Sequence, residues 1–139
     1  MELLETKEDL ELCYEVFKQL RPHLTSKEMF ISQVNRQQLL SYQIIAIKNS
    51  TGQVVSAAGF RITEFLAWGK VLYIDDLITS PDFRGKGYGS SLLDWLIEKA
   101  KSEKCQALHL DTGYTRHDAH KLYLKADLKM KGHHLSIEF

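Results

Sequence analysis

Gly85, Gly87 and Gly89 stand at alternate positions between an apolar run that ends at Thr79 and a run with helical spacing, and Arg84 and Lys86 stand among them. Glycine reaches positive φ without steric cost and lets backbone N–H groups come close to a ligand. A helix start beside it adds donors that lack intrahelical partners and the positive end of the helix dipole. Arg84, Gly85, Lys86, Gly87, Tyr88, Gly89 and Ser90 therefore read as a cradle for a phosphate or pyrophosphate. A plain strand-to-helix turn would not need three glycines and an arginine. The spacing is not that of a P-loop, G-x-x-x-x-G-K-[ST], and G-x-G-x-G is not the dinucleotide fingerprint G-x-G-x-x-G. Asp111, at the end of the next strand, could imitate the ribose-binding acid of that fingerprint, but one crossover alone follows and a second mononucleotide-binding half is missing.

Asp75 and Asp76 interrupt the apolar run before the loop. Alternation along a strand is expected to send their side chains to opposite faces. An acid in such a place accepts a proton or holds a cation; it equally well caps a loop or pairs with Arg61 or Arg116. His117, His120, His133 and His134 form no H-E-x-x-H, and no cysteine pair accompanies them, so no metal site is expected. Cys13 and Cys105 are too few for a disulfide framework and read as reduced residues of a cytoplasmic protein.

Positioning these groups takes a succession of short elements. The chain has 139 residues, the size of one domain spanning 1–139. Hydrophobic residues make up 44% and charged residues 26%, a globular balance. Lys plus Arg and Asp plus Glu both number 18, and a net charge of zero argues against a nucleic-acid or anionic-membrane binder. No apolar run approaches the roughly 18 residues of a membrane span, and the first five residues lack the form of a signal peptide. Residues 2–5 read as a short strand. Leu10, Cys13, Tyr14, Phe17 and Leu20 predict a helix opened by Thr6 or Lys7 and stopped by Arg21-Pro22-His23. Met29, Phe30, Val34 and Leu39 predict a second, capped by Thr25 or Ser26. Residues 42–47 and 54–63, joined through Asn49-Ser50-Thr51-Gly52, predict a hairpin whose Ala57, Ala58 and Gly59 admit close packing. A strand over 71–79, a helix over 88–103 carried by Leu92, Leu93, Leu96, Ile97 and Ala100, a strand over 107–111, a helix over 117–125 and a last strand over 129–139 complete the chain. The order predicts a mixed α/β sheet with one strand–helix–strand crossover over 71–111.

Leu77-Ile78-Thr79-Ser80-Pro81-Asp82-Phe83-Arg84-Gly85-Lys86-Gly87-Tyr88-Gly89 resembles the acyl-CoA motif of the GNAT N-acetyltransferase superfamily, Leu-x-Val-x-Pro-x-x-[Arg/Gln]-x-x-Gly-x-[Gly/Ala]. The helix that follows, with Leu92-Leu93, matches as well. The family's next motif, Asn-x-x-Ala-x-x-x-Tyr-x-x-x-Gly-Phe, lies on Arg116, Ala119, Tyr123, Asp127 and Leu128. Ala119 and Tyr123 match; Arg116 replaces the asparagine and Asp127-Leu128 replaces Gly-Phe. The resemblance covers essentially the whole chain. It implies an α/β fold with a mixed, mostly antiparallel central sheet, splayed fourth and fifth strands over 71–79 and 107–111, and flanking helices.

The same resemblance implies acetyl-CoA as co-substrate, entering between those two strands. Backbone groups of Leu77, Ile78 and Thr79 would meet the pantetheine arm, the 84–90 loop would hold the pyrophosphate, and an N–H near Leu77 would polarise the thioester carbonyl. Tyr123 matches the tyrosine that protonates the departing CoA thiolate; packing on the apolar face of its helix is the other reading. Asp75 and Asp111 are expected to line the acceptor site, with Asp76 third. The implied activity is transfer of an acetyl group to a primary amine of a small molecule or peptide, without a nucleic-acid or membrane partner. The alternative is a catalytically weak module that senses acyl-CoA. A single final strand leaves room for a homodimer whose second copy completes the sheet edge.

Overall fold

Thr6 and Ser26 each place a side-chain oxygen ahead of a run of apolar residues at helical spacing, and both runs are helices in the computed structural model, which describes residues 1–139. The Thr6 hydroxyl accepts from the Asp9 N–H at 3.1 Å to open α1 (Lys7–Leu20), and the Ser26 hydroxyl accepts from the Met29 N–H at 3.1 Å to open α2 (Lys27–Gln38). Five strands accompany them: β1 (Glu2–Leu4), β2 (Tyr42–Lys48), β3 (Val54–Phe65), β4 (Gly69–Thr79) and β5 (Ala107–Leu110). A 3-10 turn (Pro81–Phe83), α3 (Tyr88–Ser102) and α4 (His117–Lys125) complete the elements. The chain separates into two compact units, Met1–His109 and Leu110–Phe139.

In the first unit the strands lie side by side in chain order. Each of the first four is antiparallel to the next, and the α3 crossover returns β5 parallel to β4. One face of the sheet carries Ile44, Ala46, Ala57 and Ile78 against Leu10, Cys13, Tyr14 and Phe17 of α1 and Phe30, Ile31 and Val34 of α2. On the α3 side, Leu92, Leu93 and Leu96 are fully buried, and Trp95 meets Phe60 edge-on at 5.9 Å between ring centres.

The register between β3 and β4 slips once. Asp76 lies opposite Gly59 and Ile74 opposite Phe60, so Asp75 is an extra residue with no partner across the ladder. This bulge overturns the expectation that Asp75 and Asp76 face opposite sides. Both carboxylates meet side chains on the α1–α2 side: Asp75 reaches Arg61, itself bonded to Gln37 of α2, and Asp76 reaches Arg21 at the end of α1 and Tyr42. The small residues of β3 serve the same place. A Cβ on Gly59 would overlap the ring and hydroxyl of Tyr42, which is 3% exposed and has nowhere to move.

The second unit holds the end of β5, α4 and the residues after it. α4 closes with the Leu128 N–H on the Tyr123 carbonyl at 3.0 Å and with Asp127 at φ 61°. That is the left-handed helix cap usually taken by glycine, and aspartate is among the few other residues that tolerate it. Asp127 thus fills the conformation for which the family motif uses glycine. The strand expected over 129–139 is absent; these residues adopt no regular structure. Leu135, Ile137 and Phe139 keep the alternation of a strand, yet all three are exposed. Alternation describes a half-buried face, and a strand also needs a neighbour for its ladder bonds.

Gly59→Ala should lower the unfolding free energy by about 1–3 kcal/mol, the usual cost of overpacking, measured by urea denaturation. In a Tyr42→Leu background the penalty should shrink, since the overlapping ring is gone.

Candidate active site

β4 runs from the bulge to the glycine loop, and its last residues are held on the β3 side by more than the ladder. The Ser56 hydroxyl, fully buried, donates to the Ile78 carbonyl at 2.9 Å and lies 2.8 Å from the Thr79 hydroxyl. The Ser80 N–H continues the pairing to the Val55 carbonyl at 2.9 Å. Pro81 then starts a single 3-10 turn, closed by the Phe83 N–H on Ser80 and the Arg84 N–H on Pro81. Leu77, Ile78 and Thr79 therefore stand on an anchored strand end, immediately before the loop.

The loop takes the shape that its glycines allow. Gly85 and Gly87 have φ of 74° and 83°, and a Cβ at either would meet nothing within 4 Å. Backbone conformation, not crowding within the chain, requires glycine here, and the space over both residues is open. Gly87 is the N-cap of α3 and offers no side chain, so the first-turn amides of Tyr88, Gly89 and Ser90 are left to an external acceptor. The Arg84 Nε donates to the Thr79 carbonyl at 3.3 Å, and the Lys86 ammonium lies over the Phe83 ring at 4.9 Å. Uncapped first-turn amides at a helix N-terminus and two cations in an open loop suit a pyrophosphate.

The bulge carries the charged part of the site. Arg61 Nε and Nη2 lie 2.8 and 2.7 Å from one oxygen of Asp75, and Nη2 also donates to Gln37 at 3.0 Å. Arg21 Nε donates to Asp76 Oδ1 at 2.8 Å, and its Nη2 donates to the Asp75 carbonyl at 3.1 Å. The Tyr42 hydroxyl donates to the second oxygen of Asp76 at 2.8 Å. Burial pushes the Asp75 carboxyl above its ordinary value, against the opposing pull of Arg61. Burial, and then the Asp76 charge, raise the Tyr42 phenol well above the usual range. Arg21, Gln37 and Tyr42 carried no chemical signal in the sequence: Arg21 lies 55 residues before Asp76, and Tyr42 reads as one more strand residue.

Of the three residues expected to be catalytic, Asp75 belongs to the first unit, and Asp111 and Tyr123 to the second. Within that second unit the Asp111 carboxylate lies 3.2 Å from Nδ1 of His134, both well exposed. Nε2 of His120 lies 3.0 Å from the Gly113 carbonyl. Tyr123 is 8% exposed, and burial raises its phenol above the usual value, opposed by the Arg116 charge. No group of three or more His, Cys, Asp or Glu side chains is arranged to hold a metal ion. No helix is long and apolar enough to cross a membrane.

Comparison with known proteins adds independent findings. The family model described as acetyltransferase (GNAT) family matches residues 4–127. The chain is 30% identical over 124 residues to the uncharacterized N-acetyltransferase YhdJ of Bacillus subtilis, covering 88% of this chain and 86% of that protein. It is 38% identical over 56 residues to the aminoalkylphosphonate N-acetyltransferase of Salmonella typhimurium, 40% of this chain and 36% of that one. Among solved structures, AAC(6')-Iy in complex with the bisubstrate analog CoA-S-monomethyl-acetylneamine superposes with a TM-score of 0.81 at 15% identity, over 99% of this chain and 97% of that one.

The raised Asp75 carboxyl has a consequence for stability. The folded chain holds this proton more tightly than the unfolded chain, so its contribution falls as pH rises from the ordinary carboxylate value through the raised folded value. The stability of the wild type relative to Asp75→Asn, from urea melts between about pH 3 and pH 7, should be greatest at the acid end and decline through that window. A difference that does not change with pH would remove burial as the dominant influence on this group.

Proposed function

The chain belongs to the acetyltransferase (GNAT) family, and we propose that it moves an acetyl group from acetyl-CoA to a primary amine of a small molecule or peptide, with the bulge and loop of β4 as the transfer site. The observation that carries this reading is the 84–90 loop: two glycines at positive φ beneath open space, followed by a helix with no side-chain cap. Residues 1–139 act as one domain in this proposal, in keeping with a family match that runs through both units. Unpaired Cys13 and Cys105 favour a reducing compartment such as the cytoplasm. The sensor alternative is not favoured, since the relatives are named as N-acetyltransferases.

In the proposed mechanism the amides of Gly85, Lys86, Gly87, Tyr88, Gly89 and Ser90 hold the pyrophosphate together with the Arg84 side chain, the Arg84 amide being used by the turn before it, and the backbone of Leu77, Ile78 and Thr79 guides the pantetheine arm. An amide beside Leu77 faces the thioester carbonyl and stabilises the oxyanion that forms on attack. A lysine-like amine, with a pKa of about 10.4, must lose a proton before it attacks. Asp75 or Asp111 takes that proton through water. A carboxyl with a raised pKa is a better base than an ordinary one, which favours Asp75. The tetrahedral intermediate collapses by breaking the C–S bond, and Tyr123 hydrogen-bonds the departing sulfur and supplies its proton. Its raised pKa keeps the phenol protonated throughout the neutral range.

Gly87→Val should abolish acetyl-CoA binding by calorimetry while circular dichroism shows a folded chain, because a β-branched side chain resists φ of 83° and projects into the space over the loop. Full affinity in the folded variant would remove the loop from the cofactor site.

Tyr123→Phe should lower kcat by about 10²- to 10⁴-fold, the usual worth of general acid help, and leave acetyl-CoA affinity within a few-fold. Unchanged kcat, with chemistry rate-limiting, would return Tyr123 to a packing role.

A further inference from the structure

Every negative charge at the bulge is matched. Asp75 is bonded by Arg61, and Asp76 by Arg21 and the Tyr42 hydroxyl. Two acids at a transfer site suggest from sequence a preference for cationic acceptors; with two arginines on them, that preference has no excess charge to act through. The two arginines differ in what they leave over. Arg61 is held between Asp75 and Gln37, with 25% of its side chain exposed. Arg21 is 44% exposed, and its two bonds, from Nε to Asp76 and from Nη2 to the Asp75 carbonyl, use one side of the planar guanidinium. Nη1 makes no hydrogen bond within the chain, and Nη2 keeps one N–H beyond its bond to the Asp75 carbonyl. A guanidinium fixed along one side presents its free end without the entropy cost of ordering a loose side chain, and that end fits an oxyanion through two parallel N–H bonds.

We propose that Arg21 binds an anionic group of the acceptor, so that the substrate is an amine bearing a carboxylate or phosphonate. The proposal rests on the transfer site assigned above. Arg21 is bonded to the backbone of Asp75, two residues along β4 from Leu77, a strand distance of roughly 6–7 Å. Both oxyanions have the chemistry that a guanidinium end recognises, and the acceptors tested separate them.

The test uses the full chain with acetyl-CoA and follows CoA release. β-Alanine and 2-aminoethylphosphonate are compared with β-alaninamide, which keeps the spacer and loses the charge, and with 1,3-diaminopropane, which reverses it. The amide's amine is the more readily deprotonated, so intrinsic reactivity runs against the expected order. The wild type should favour an anionic acceptor over β-alaninamide in kcat/KM by roughly 10- to 100-fold, the worth of a charge-assisted hydrogen-bonded contact. The larger ratio between β-alanine and 2-aminoethylphosphonate identifies the oxyanion. Arg21→Gln should collapse that ratio towards one through a rise in KM for the anionic acceptor, and Arg21→Lys should restore part of it. A loss of support for Asp76 alone would slow all acceptors alike and leave the ratio intact. Turnover with no preference for the anion, or a preference that survives Arg21→Gln, overturns the assignment of Arg21 while leaving the enzyme reading in place. Acetyl-CoA binding without turnover on any of the four acceptors overturns both.

Discussion

A single extra residue in β4 governs the arrangement of this site. Where Asp75 has no partner across the ladder, the strand stops alternating and two neighbouring carboxylates arrive on one face of the sheet. Carboxylates brought partly out of water need charged partners and hydrogen bonds, or they take up protons instead. Both needs are visible. Two arginines and a phenol meet the pair, and burial still leaves Asp75 with a raised pKa. The partners come from the end of α1, from β2 and from β3, so the bulge ties together the elements of the first unit that lie on its side. Gly59 belongs to the same arrangement: it is the residue directly opposite Asp76, and its missing side chain is the space that the Tyr42 ring fills to reach that acid.

The other end of β4 follows a different rule. Between the bulge and the loop the strand is pinned to β3 by its ladder, by Ser56 and by the Ser80 amide. Past that point the chain gives up regular pairing and makes a turn whose conformation suits only glycine at 85 and 87. Rigid strand and open amides sit within a few residues of each other, which is what a site needs if it is to hold a charged ligand in a fixed relation to the atoms where bonds change. The same economy appears at the end of α4, where Asp127 adopts the left-handed conformation that the helix end demands.

What could be read from the residues alone was local. Thr6 and Ser26 announce their helices because a cap acts within three residues. The glycine loop announces itself because positive φ and a helix start are properties of consecutive residues. The family resemblance rests on the motif over residues 77–89, on Leu92-Leu93 and on Ala119 with Tyr123, all local patterns, and the match over residues 4–127 agrees with it. The strand expected over 129–139 shows where such reading misleads: alternation at Leu135, Ile137 and Phe139 is local, but a ladder partner is not.

The chain order of apolar and turn residues was enough to specify the elements as far as α4, their crossover and the loop that suits a pyrophosphate. Tertiary structure decided which side each acid faces and what it touches. A one-residue slip between β3 and β4 cannot be seen in β4 alone, since it is defined by register against another strand. Arg21 and Asp76 are 55 residues apart, and Tyr42 and Asp76 are 34 apart, so no short-range pattern links them. Their meeting depends on the packing of α1 against the sheet and on the pairing of β2 with β3, and with it the charge that an acceptor encounters at the bulge.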